Sequence, residues 1–234
     1  MIISMVKAAW PTATFMAATP YPLGVIVSAI KVCRAGADDT AMPLLHEIEE
    51  TEANRRLIAR VLKSGHTSVL EHVQFTFSVS GMSLAARSQL FRHRHGSYAE
   101  QSKRTVEADT LGIVIPQSIR DNPGAYNEYC SAINRVNSAH RTMVDVHGIP
   151  KEDARYVSPL GLETRCVITY NARELFDTVF PLRLCLRAQW EVRTVVNQMY
   201  DICMQVLPCV FKLTGPKCFN GKCNEHEKCI RVVS

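Results

Sequence analysis

Apolar residues recur with helical spacing over long parts of the chain, and shorter runs rich in β-branched and aromatic residues lie between them. The helical spacing predicts long helices over 21–34, 41–64, 126–147 and 187–207 and a short one over 151–157. The short runs predict strands over 2–9, 73–80, 111–115 and 164–170. Helices mixed with few, separated strands favour an α+β fold, a single domain with helices packed on a mainly antiparallel sheet.

Capping and breaking residues indicate where one of these helices begins and ends. Ser83 is a typical N-cap. One buried helical face then follows at i, i+4 and i+7, formed by Leu84, Ser88 and Phe91. The pattern predicts a helix that continues into Arg92–Arg94 and is broken by Gly96.

The composition is typical of a soluble globular protein, with 47% apolar and 21% charged residues in a chain of 234. A net charge of +5 is consistent with anionic nucleotides as ligands but does not indicate nucleic-acid binding. Residues 8–30 carry no charge, yet a membrane-spanning helix is disfavoured because prolines interrupt them at Pro11, Pro20 and Pro22. We expect a cytoplasmic protein with neither a membrane nor a nucleic-acid partner.

The nine cysteines argue against a disulfide framework, because their number is odd and their spacing scattered. Five lie in apolar periodic stretches and are expected to be small core residues: Cys33, Cys130, Cys166, Cys185 and Cys203. The chain divides into a main domain over 1–213 and a Cys-rich tail over 214–234, with potential ligands at Cys218, Cys223, His226 and Cys229.

Two interpretations of this tail stay open. Three thiols and one imidazole suffice for a tetrahedral zinc site, although their spacing does not match the C-x2-C pairs of common zinc modules. A mobile, reduced tail is the other interpretation, since terminal segments are often poorly ordered. We assign no metal to the protein.

The segment 92–104 has the least ordinary composition in the chain. Its thirteen residues include three arginines, two histidines, a lysine and two serines, with one acid among them. Arginine forks bind phosphate oxygens through paired N–H donors, and hydroxyls and loop amides add further donors. A solvated basic face is the alternative, but the density of donors favours a site for a multiply charged anion.

The pattern R-H-R-x2-S-x4-S-x-R at 92–104 resembles the signature of the flavin-dependent thymidylate synthases. Four further segments match the family in the same order: 65–72 (G-H-x-[ST]-x-x-E-H), 152–160 (E-x-A-R-x-x-x-P-L), 171–175 (N-A-R-x-L) and 188–191 (A-Q-W-E). The resemblance therefore extends from about residue 65 to residue 191.

The resemblance implies two sets of ligand-binding residues. FAD is expected to contact His66, Ser68, Arg92, His93, Arg94, Glu100, Asn171, Arg173 and Asp177. Deoxyuridine monophosphate is expected to contact Gln89, Arg92, Glu100, Gln101, Ser102, Lys103, Arg104, Arg155 and Arg183, with Ser102 and Arg104 on its phosphate.

Arg183 is the expected catalytic residue, because the family's arginine ahead of A-Q-W-E contacts the uracil edge and favours ionisation at N3. A fixed cation stabilises negative charge that develops on the ring. The interval from Asn171 to Arg183 is one residue longer here than in members of the family, so Arg187 remains a rival for this role.

The implied reaction is reductive methylation of deoxyuridine monophosphate to thymidylate. Methylenetetrahydrofolate would supply the carbon, and FAD reduced by NADPH would supply the hydride, without a cysteine nucleophile. The family also implies a homotetramer whose active sites are shared between subunits. Three alternatives stay open: a related enzyme that methylates uridine monophosphate, a flavin-binding protein without catalysis, and a nucleic-acid-binding module.

The Cys-rich tail lies outside the segments that match the family. The double variant Cys223→Ser with Cys229→Ser should therefore keep flavin binding and turnover within a few-fold of the unmodified protein, measured on the intact oligomer. A collapse of turnover without loss of the oligomer would mean that the tail belongs to the active site.

Overall fold

The computed structural model describes residues 7–33, 35–36, 44–104, 111–221, 223 and 229. The chain divides into two compact units. The first unit comprises Met1–Thr12, Val79–Arg92 and Ala99–Val167. The second comprises Ala13–Ser78, His93–Tyr98 and Ile168–Ser234. Arg92 therefore belongs to the first unit and His93 to the second, although the two are neighbours in the chain.

The strands of the described residues are β1 Ala8–Ala9, β2 Thr12–Ala18, β3 Gln74–Ser83, β4 Ser97–Glu100, β5 Ile113–Val114 and β6 Glu163–Asn171. Four of them form a sheet in the order β2-β3-β6-β4, and β1 pairs in parallel with β5. Backbone hydrogen bonds that join the end of one strand to the start of its neighbour show antiparallel pairing: Thr19 N to Gln74 O at 3.0 Å and Ala172 N to Val73 O at 2.7 Å. The predicted α+β fold with a mainly antiparallel sheet is confirmed.

The α-helices are α1 Pro22–Val32, α2 Glu52–Lys63, α3 Leu84–Leu90, α4 Gln117–Arg120, α5 Pro123–Arg141, α6 Lys151–Ala154, α7 Ala172–Glu174, α8 Phe180–Arg183, α9 Trp190–Val206 and α10 Pro208–Phe211. Segments of 3-10 helix are found at Leu45–Glu47, Thr67–His72, Arg155–Val157 and Lys217–Asn220. Segments of π-helix are found at Thr142–Val146 and Leu175–Val179. The second π segment joins α7 to α8 without a break, so Ala172–Arg183 is one helical run.

The first unit is built around an apolar cluster of buried side chains: Leu111, Ile113, Ile115, Ile133 and Leu162. Ser83 caps α3 as predicted, because its Oγ accepts a hydrogen bond from Ala86 N at 3.1 Å. Asn122 caps α5 in the same way through Ala125 N at 3.1 Å. These caps satisfy helix N–H groups that have no partner within the helix.

Aromatic side chains fill the core of the second unit. The ring of Phe211 packs edge-on against Phe75 and Phe180, with centroid distances of 5.5 and 5.6 Å. Phe180 also packs edge-on against Tyr200 at 5.1 Å. Such edge-to-face pairs are favourable beyond the area that they bury. They hold α8, α9 and α10 against the first half of β3.

The predicted helix over 41–64 is wrong in its first half. Of its described residues, Leu45–Glu47 form a 3-10 turn, and α2 begins only at Glu52; residues 41–43 lie outside the described part. Thr51 caps α2, since its Oγ1 accepts from Asn54 N at 3.2 Å. The cap at Thr51 therefore marks the start of α2, which the apolar spacing placed too early in the chain.

The predicted helix through Arg92–Arg94 is also wrong, because α3 ends at Leu90. The chain then turns and forms β4, which the apolar pattern did not predict. Two donors hold the turn by bonding the carbonyl oxygen of His93: Gly96 N at 3.2 Å and the Tyr98 hydroxyl at 2.6 Å. These contacts override the helical spacing of the preceding residues.

Smaller differences concern the remaining predictions. β2 was not predicted, and the last long helix begins at Trp190 instead of residue 187. Cys130, Cys166 and Cys203 are buried as expected, whereas Cys33 is exposed and Cys185 half-buried. The tail residues 222, 224–228 and 230–234, which include His226, lie outside the described part, so both interpretations of the tail stay predictions.

A search of the described helices finds none with the length and apolar character needed to cross a membrane.

The backbone at Gly81 gives a test of the packing of β3 in the first unit. Gly81 has φ +67°, and an added Cβ would overlap the carbonyl group of Trp10. Gly81→Ala should therefore lower the free energy of unfolding by roughly 2 kcal/mol or more, measured by urea denaturation. Gly148→Ala is the matched control, because Gly148 has φ +64° with nothing within 4 Å of an added Cβ. The control should lose only about 1 kcal/mol; equal losses would contradict this account of Gly81.

Candidate active site

Glu100, expected to contact both ligands, is anchored in the first unit by two side chains. Arg87 Nη1 donates to its Oε2 at 2.7 Å, and Thr164 Oγ1 donates to its Oε1 at 2.8 Å. Arg87 on α3 also lies over the ring of Phe91 at 5.7 Å. Both carboxylate oxygens of Glu100 thus have fixed positions before any ligand is present.

Lys103 in the same unit is engaged by oxygen acceptors of the protein. Its Nζ donates to Glu163 O at 2.8 Å and to Gln101 Oε1 at 3.1 Å. Burial lowers the pKa of Lys103, although the carboxylates of Glu100 and Glu163 oppose this effect. A ligand that contacts Lys103 would share its ammonium group with these acceptors.

Ser102, Arg104 and the helical segment of Arg155 lie together and form what we call the basic cluster. Arg104 Nη2 contacts Glu152 Oε2 at 2.7 Å, and Arg104 N donates to Ser102 Oγ at 3.2 Å. Arg155 follows Glu152 by three residues, so the two share one helical face. Arg155 is half-buried and has no ion-pair partner among the described residues.

The ion pair between Arg104 and Glu152 is weak because both side chains are exposed to water. The two side chains are 63% and 48% exposed. Exposed ion pairs contribute about 0–1 kcal/mol, since water solvates both charges well. A dianion that offers Arg104 two acceptor oxygens would therefore displace Glu152 at little cost.

Gln89 and the two arginines of the R-H-R motif occupy the end of α3 and the turn that follows. Gln89 is half-buried on α3, whereas Arg92 and Arg94 are exposed. Neither arginine makes a hydrogen bond or ion pair within the described part of the chain. Two cations are thus left available to an anionic ligand.

The second unit contains a cavity of about 500 Å³ lined by polar side chains. Three of the expected flavin contacts line it: Asn171, Arg173 and Asp177. Arg173 bonds Glu71 Oε1 through Nη1 and Asp177 Oδ2 through Nε, the latter at 3.3 Å. Asn171 caps α7, because its Oδ1 accepts from Glu174 N at 2.7 Å. The structure therefore brings these predicted residues together.

The loop at 65–72 contributes through a residue that the sequence argument did not select. Thr67 is buried and donates to Asp177 Oδ2 at 2.7 Å. His66 and Ser68, the expected flavin contacts, are exposed. His66 precedes the 3-10 helix Thr67–His72, and its side chain makes no cap hydrogen bond to that helix.

His93 is the buried member of the R-H-R motif, with 4% of its surface exposed. Arg183 Nε donates to its Nε2 at 2.9 Å, and its Nδ1 lies 3.3 Å from Glu174 Oε1. Burial, and secondarily the charge of Arg183, lower the pKa of His93 to about 4. The ring is therefore neutral at neutral pH.

Glu174, the carboxyl partner of His93, is itself buried. Burial raises the pKa of Glu174, while a hydrogen bond from Thr178 and the charge of His95 oppose the rise. We refer to the buried Glu174 and His93 together with the half-buried Arg183 as the triad.

The two candidates for the catalytic arginine differ in their surroundings. Arg183 ends α8 and bonds the R-H-R motif through His93. Arg187 is exposed in the turn before α9. The contact between Arg183 and the motif favours Arg183, and its catalytic role stays a prediction.

Several partners of the predicted residues were missed from the sequence. They are Thr67, Glu71, Arg87, Thr164 and Glu174. Thr67, Glu71 and Glu174 lie inside matched segments, so attention to every polar residue of those segments would have found them. Arg87 and Thr164 carry no such signal, since only the pairing of β4 with β6 places Thr164 beside Glu100.

Comparisons with known proteins match most of the chain to one family. A family model described as thymidylate synthase complementing protein matches residues 14–209, and this defines the class of the chain. The flavin-dependent thymidylate synthase of Geobacter sulfurreducens is 38% identical over 211 residues, covering 88% of each chain. That of Nitratidesulfovibrio vulgaris is 38% identical over 229 residues, covering 93% of each chain. The chain belongs to the flavin-dependent thymidylate synthase family and is an enzyme of that type.

A solved structure shares the fold at lower sequence identity. The crystal structure of the UMP/dUMP methylase PolB from Streptomyces cacaoi, bound with 5-Br dUMP, matches with a TM-score of 0.76. The alignment covers 89% of this chain and 96% of that chain at 23% identity. The likeness shows a common fold for the two proteins.

The buried neutral ring of His93 predicts a pH dependence of stability. The unfolded chain binds a proton on His93 below about pH 6.5, whereas the folded chain does so only near pH 4. The free energy of unfolding should therefore fall as the pH drops from about 6.5 to about 4, by at most about 1.4 kcal/mol per pH unit for this one proton.

His93→Gln isolates this effect, because glutamine offers an acceptor to Arg183 but does not titrate. Urea unfolding across this pH range should show a shallower dependence for the variant than for the unmodified protein. Parallel curves would mean that His93 does not stay neutral in the folded chain.

Proposed function

We propose that the enzyme converts deoxyuridine monophosphate to thymidylate by reductive methylation, with methylenetetrahydrofolate as carbon donor, FAD as cofactor and NADPH as its reductant. Family membership supports the reaction class. The observation that supports the ligand assignment is the grouping of expected side chains: three of those for flavin line one cavity, and those for the nucleotide phosphate form the basic cluster.

The basic cluster has the chemistry of a phosphate-binding site. Arg104 provides a planar fork whose present partner, Glu152, is exposed and weakly held. Ser102 adds a hydroxyl, and Arg155 adds a cation without an ion-pair partner in the described part of the chain. Charge-assisted bonds from such donors to a phosphate dianion are about twice as strong as neutral ones.

The polar residues of the second unit fit a flavin dinucleotide. The cavity offers amide, guanidinium and carboxylate groups suited to hydroxyl groups and ring edges: Asn171, Arg173, Asp177 and Glu71. The carboxylates of the cavity balance Arg173, so a pyrophosphate suits the exposed guanidinium group of Arg94 in the same unit better. FAD, when bound, supplies the hydride that reduces the transferred carbon.

Arg183 is the residue that we propose to activate the pyrimidine. Its Nε donates to His93 Nε2, which gives the guanidinium group a defined position. A fixed cation at the uracil edge stabilises negative charge developing at N3, which makes C5 a better partner for a one-carbon electrophile. No thiolate is needed, and burial raises the pKa of Cys166 to about 12, which disfavours its ionisation.

A second candidate substrate is uridine monophosphate, because the structural neighbour from Streptomyces cacaoi is a UMP/dUMP methylase. The two nucleotides differ only by the ribose 2′-hydroxyl. We retain the homotetramer with shared active sites, and the cytoplasmic location, as predictions of the same proposal.

The experiment is a titration of the FAD-loaded enzyme with each nucleotide, followed by the flavin absorption spectrum. We expect FAD to bind and deoxyuridine monophosphate to perturb its spectrum at lower concentration than uridine monophosphate. Arg104→Ala should weaken the nucleotide by about tenfold to a hundredfold without changing FAD affinity, since it removes one charge-assisted contact.

Arg135→Ala is the matched control. The substitution removes one positive charge from a side chain that is 67% exposed on α5 and is paired with α5 residues. The variant should bind the nucleotide normally. Failure to take up FAD at tens of micromolar, or bound flavin that responds to neither nucleotide, would contradict the proposed function. A stronger response to uridine monophosphate would favour the second candidate.

A further inference from the structure

The helical run Ala172–Arg183 changes its winding in the middle, and this decides which side chains share a face. Arg183 follows Glu174 by nine residues. In an α-helix that turns about 100° per residue, the two would lie on opposite faces, about 180° apart. The π segment Leu175–Val179 takes up one extra residue, which reduces the angle to about 80°. Both side chains can then reach the same partner, and that partner is His93.

The hydrogen bonds define the tautomer of His93. A guanidinium group has donors and no acceptor, so Nε2 must accept the bond from Arg183 Nε at 2.9 Å. Nδ1 then carries the hydrogen and donates to Glu174 Oε1 at 3.3 Å. The three residues therefore form a chain of bonds from carboxyl to neutral imidazole to guanidinium.

The position of the imidazole is fixed from other directions as well. The Tyr98 hydroxyl donates to the carbonyl oxygen of His93 at 2.6 Å and lies 2.9 Å from the Tyr170 hydroxyl. The ring of Tyr170 stands edge-on to that of His93, at 87° and 6.4 Å between centroids. An added Cβ at Gly96 would collide with the Tyr170 ring, so only glycine permits this turn.

We propose that His93 is a positioning residue: its neutral ring, oriented by Glu174, holds Nε of Arg183 so that the terminal guanidinium nitrogens face a pyrimidine nucleotide. The proposal rests on the proposed function, since it assigns Arg183 to the uracil edge. Both ring nitrogens are engaged within the chain, so neither is left to hydrogen-bond flavin. Positioning of this kind matters because a misplacement of about 1 Å can cost about a hundredfold in rate.

Two substitutions of His93 test the roles of its two ring nitrogens separately. In His93→Gln the amide reaches the position of Nε2 and can accept from Arg183, whereas in His93→Asn it reaches only that of Nδ1. We expect His93→Asn to lose about a hundredfold in kcat and His93→Gln less than about tenfold, with unchanged FAD affinity in both. Nucleotide affinity, measured by calorimetry as a readout independent of turnover, should also fall more in His93→Asn than in His93→Gln.

The Arg183→Ala background tests whether His93 acts through Arg183. In that background His93→Asn should have no further effect on nucleotide affinity, because the residue to be positioned is gone. Additive losses, or equal behaviour of His93→Gln and His93→Asn in an enzyme that methylates the nucleotide, would overturn the proposal. An unmodified enzyme that neither binds nor methylates the nucleotide would overturn the proposed function instead.

Glu174 provides a second pair of variants if His93→Asn does not fold, as judged by circular dichroism. Glu174→Gln keeps an acceptor for the Nδ1 hydrogen, whereas Glu174→Ala removes it. Glu174→Ala should lose nucleotide affinity and kcat as His93→Asn is expected to, and Glu174→Gln should retain most of both. Equal losses in the two variants would overturn the orienting role of Glu174 and with it the proposal.

Discussion

The hydrogen bond from Arg183 to the neutral ring of His93 is the contact on which the geometry of the second unit depends. It joins the turn after α3 to the end of α8, two segments 90 residues apart in the chain. The bond exists only while the ring is neutral, and burial keeps it neutral by lowering its pKa to about 4. Burial, which usually disfavours polar residues, here selects the protonation state that accepts from arginine.

The two clusters differ in how firmly their side chains are held. In the second unit, the burial of His93 and Glu174 and the two hydrogen bonds of the His93 ring hold the triad before a ligand arrives. In the basic cluster, by contrast, Arg104 has an exposed partner that it can exchange, and Arg155 has no ion-pair partner among the described residues. Rigid residues suit the stabilisation of charge that develops during reaction, whereas exchangeable ones suit capture and release of a phosphate.

The sequence predicted those elements whose signals are local. Pro22 at the start of α1, Ser83 before α3 and the alternation of β3 are each readable within a few residues. β2 was missed because it is an edge strand with mostly exposed residues, which leaves no alternation to detect. For the site, the motif indicated which residues matter, but partners such as Arg87 and Thr164 depend on strand pairing that one sequence does not encode locally.

The π segment Leu175–Val179 bears on the choice between Arg183 and Arg187 as the catalytic arginine. Eleven residues separate Asn171 from Arg183, and the π segment Leu175–Val179 lies among them. A π turn holds one residue more than an α turn, so the extra residue is absorbed within Leu175–Val179 and the helix beyond it keeps its orientation. Had the run stayed α-helical, the extra residue would have rotated Arg183 by about 100° away from His93. The local change of winding therefore keeps Arg183 in contact with the motif, which supports the proposal of Arg183 over Arg187 as the catalytic arginine.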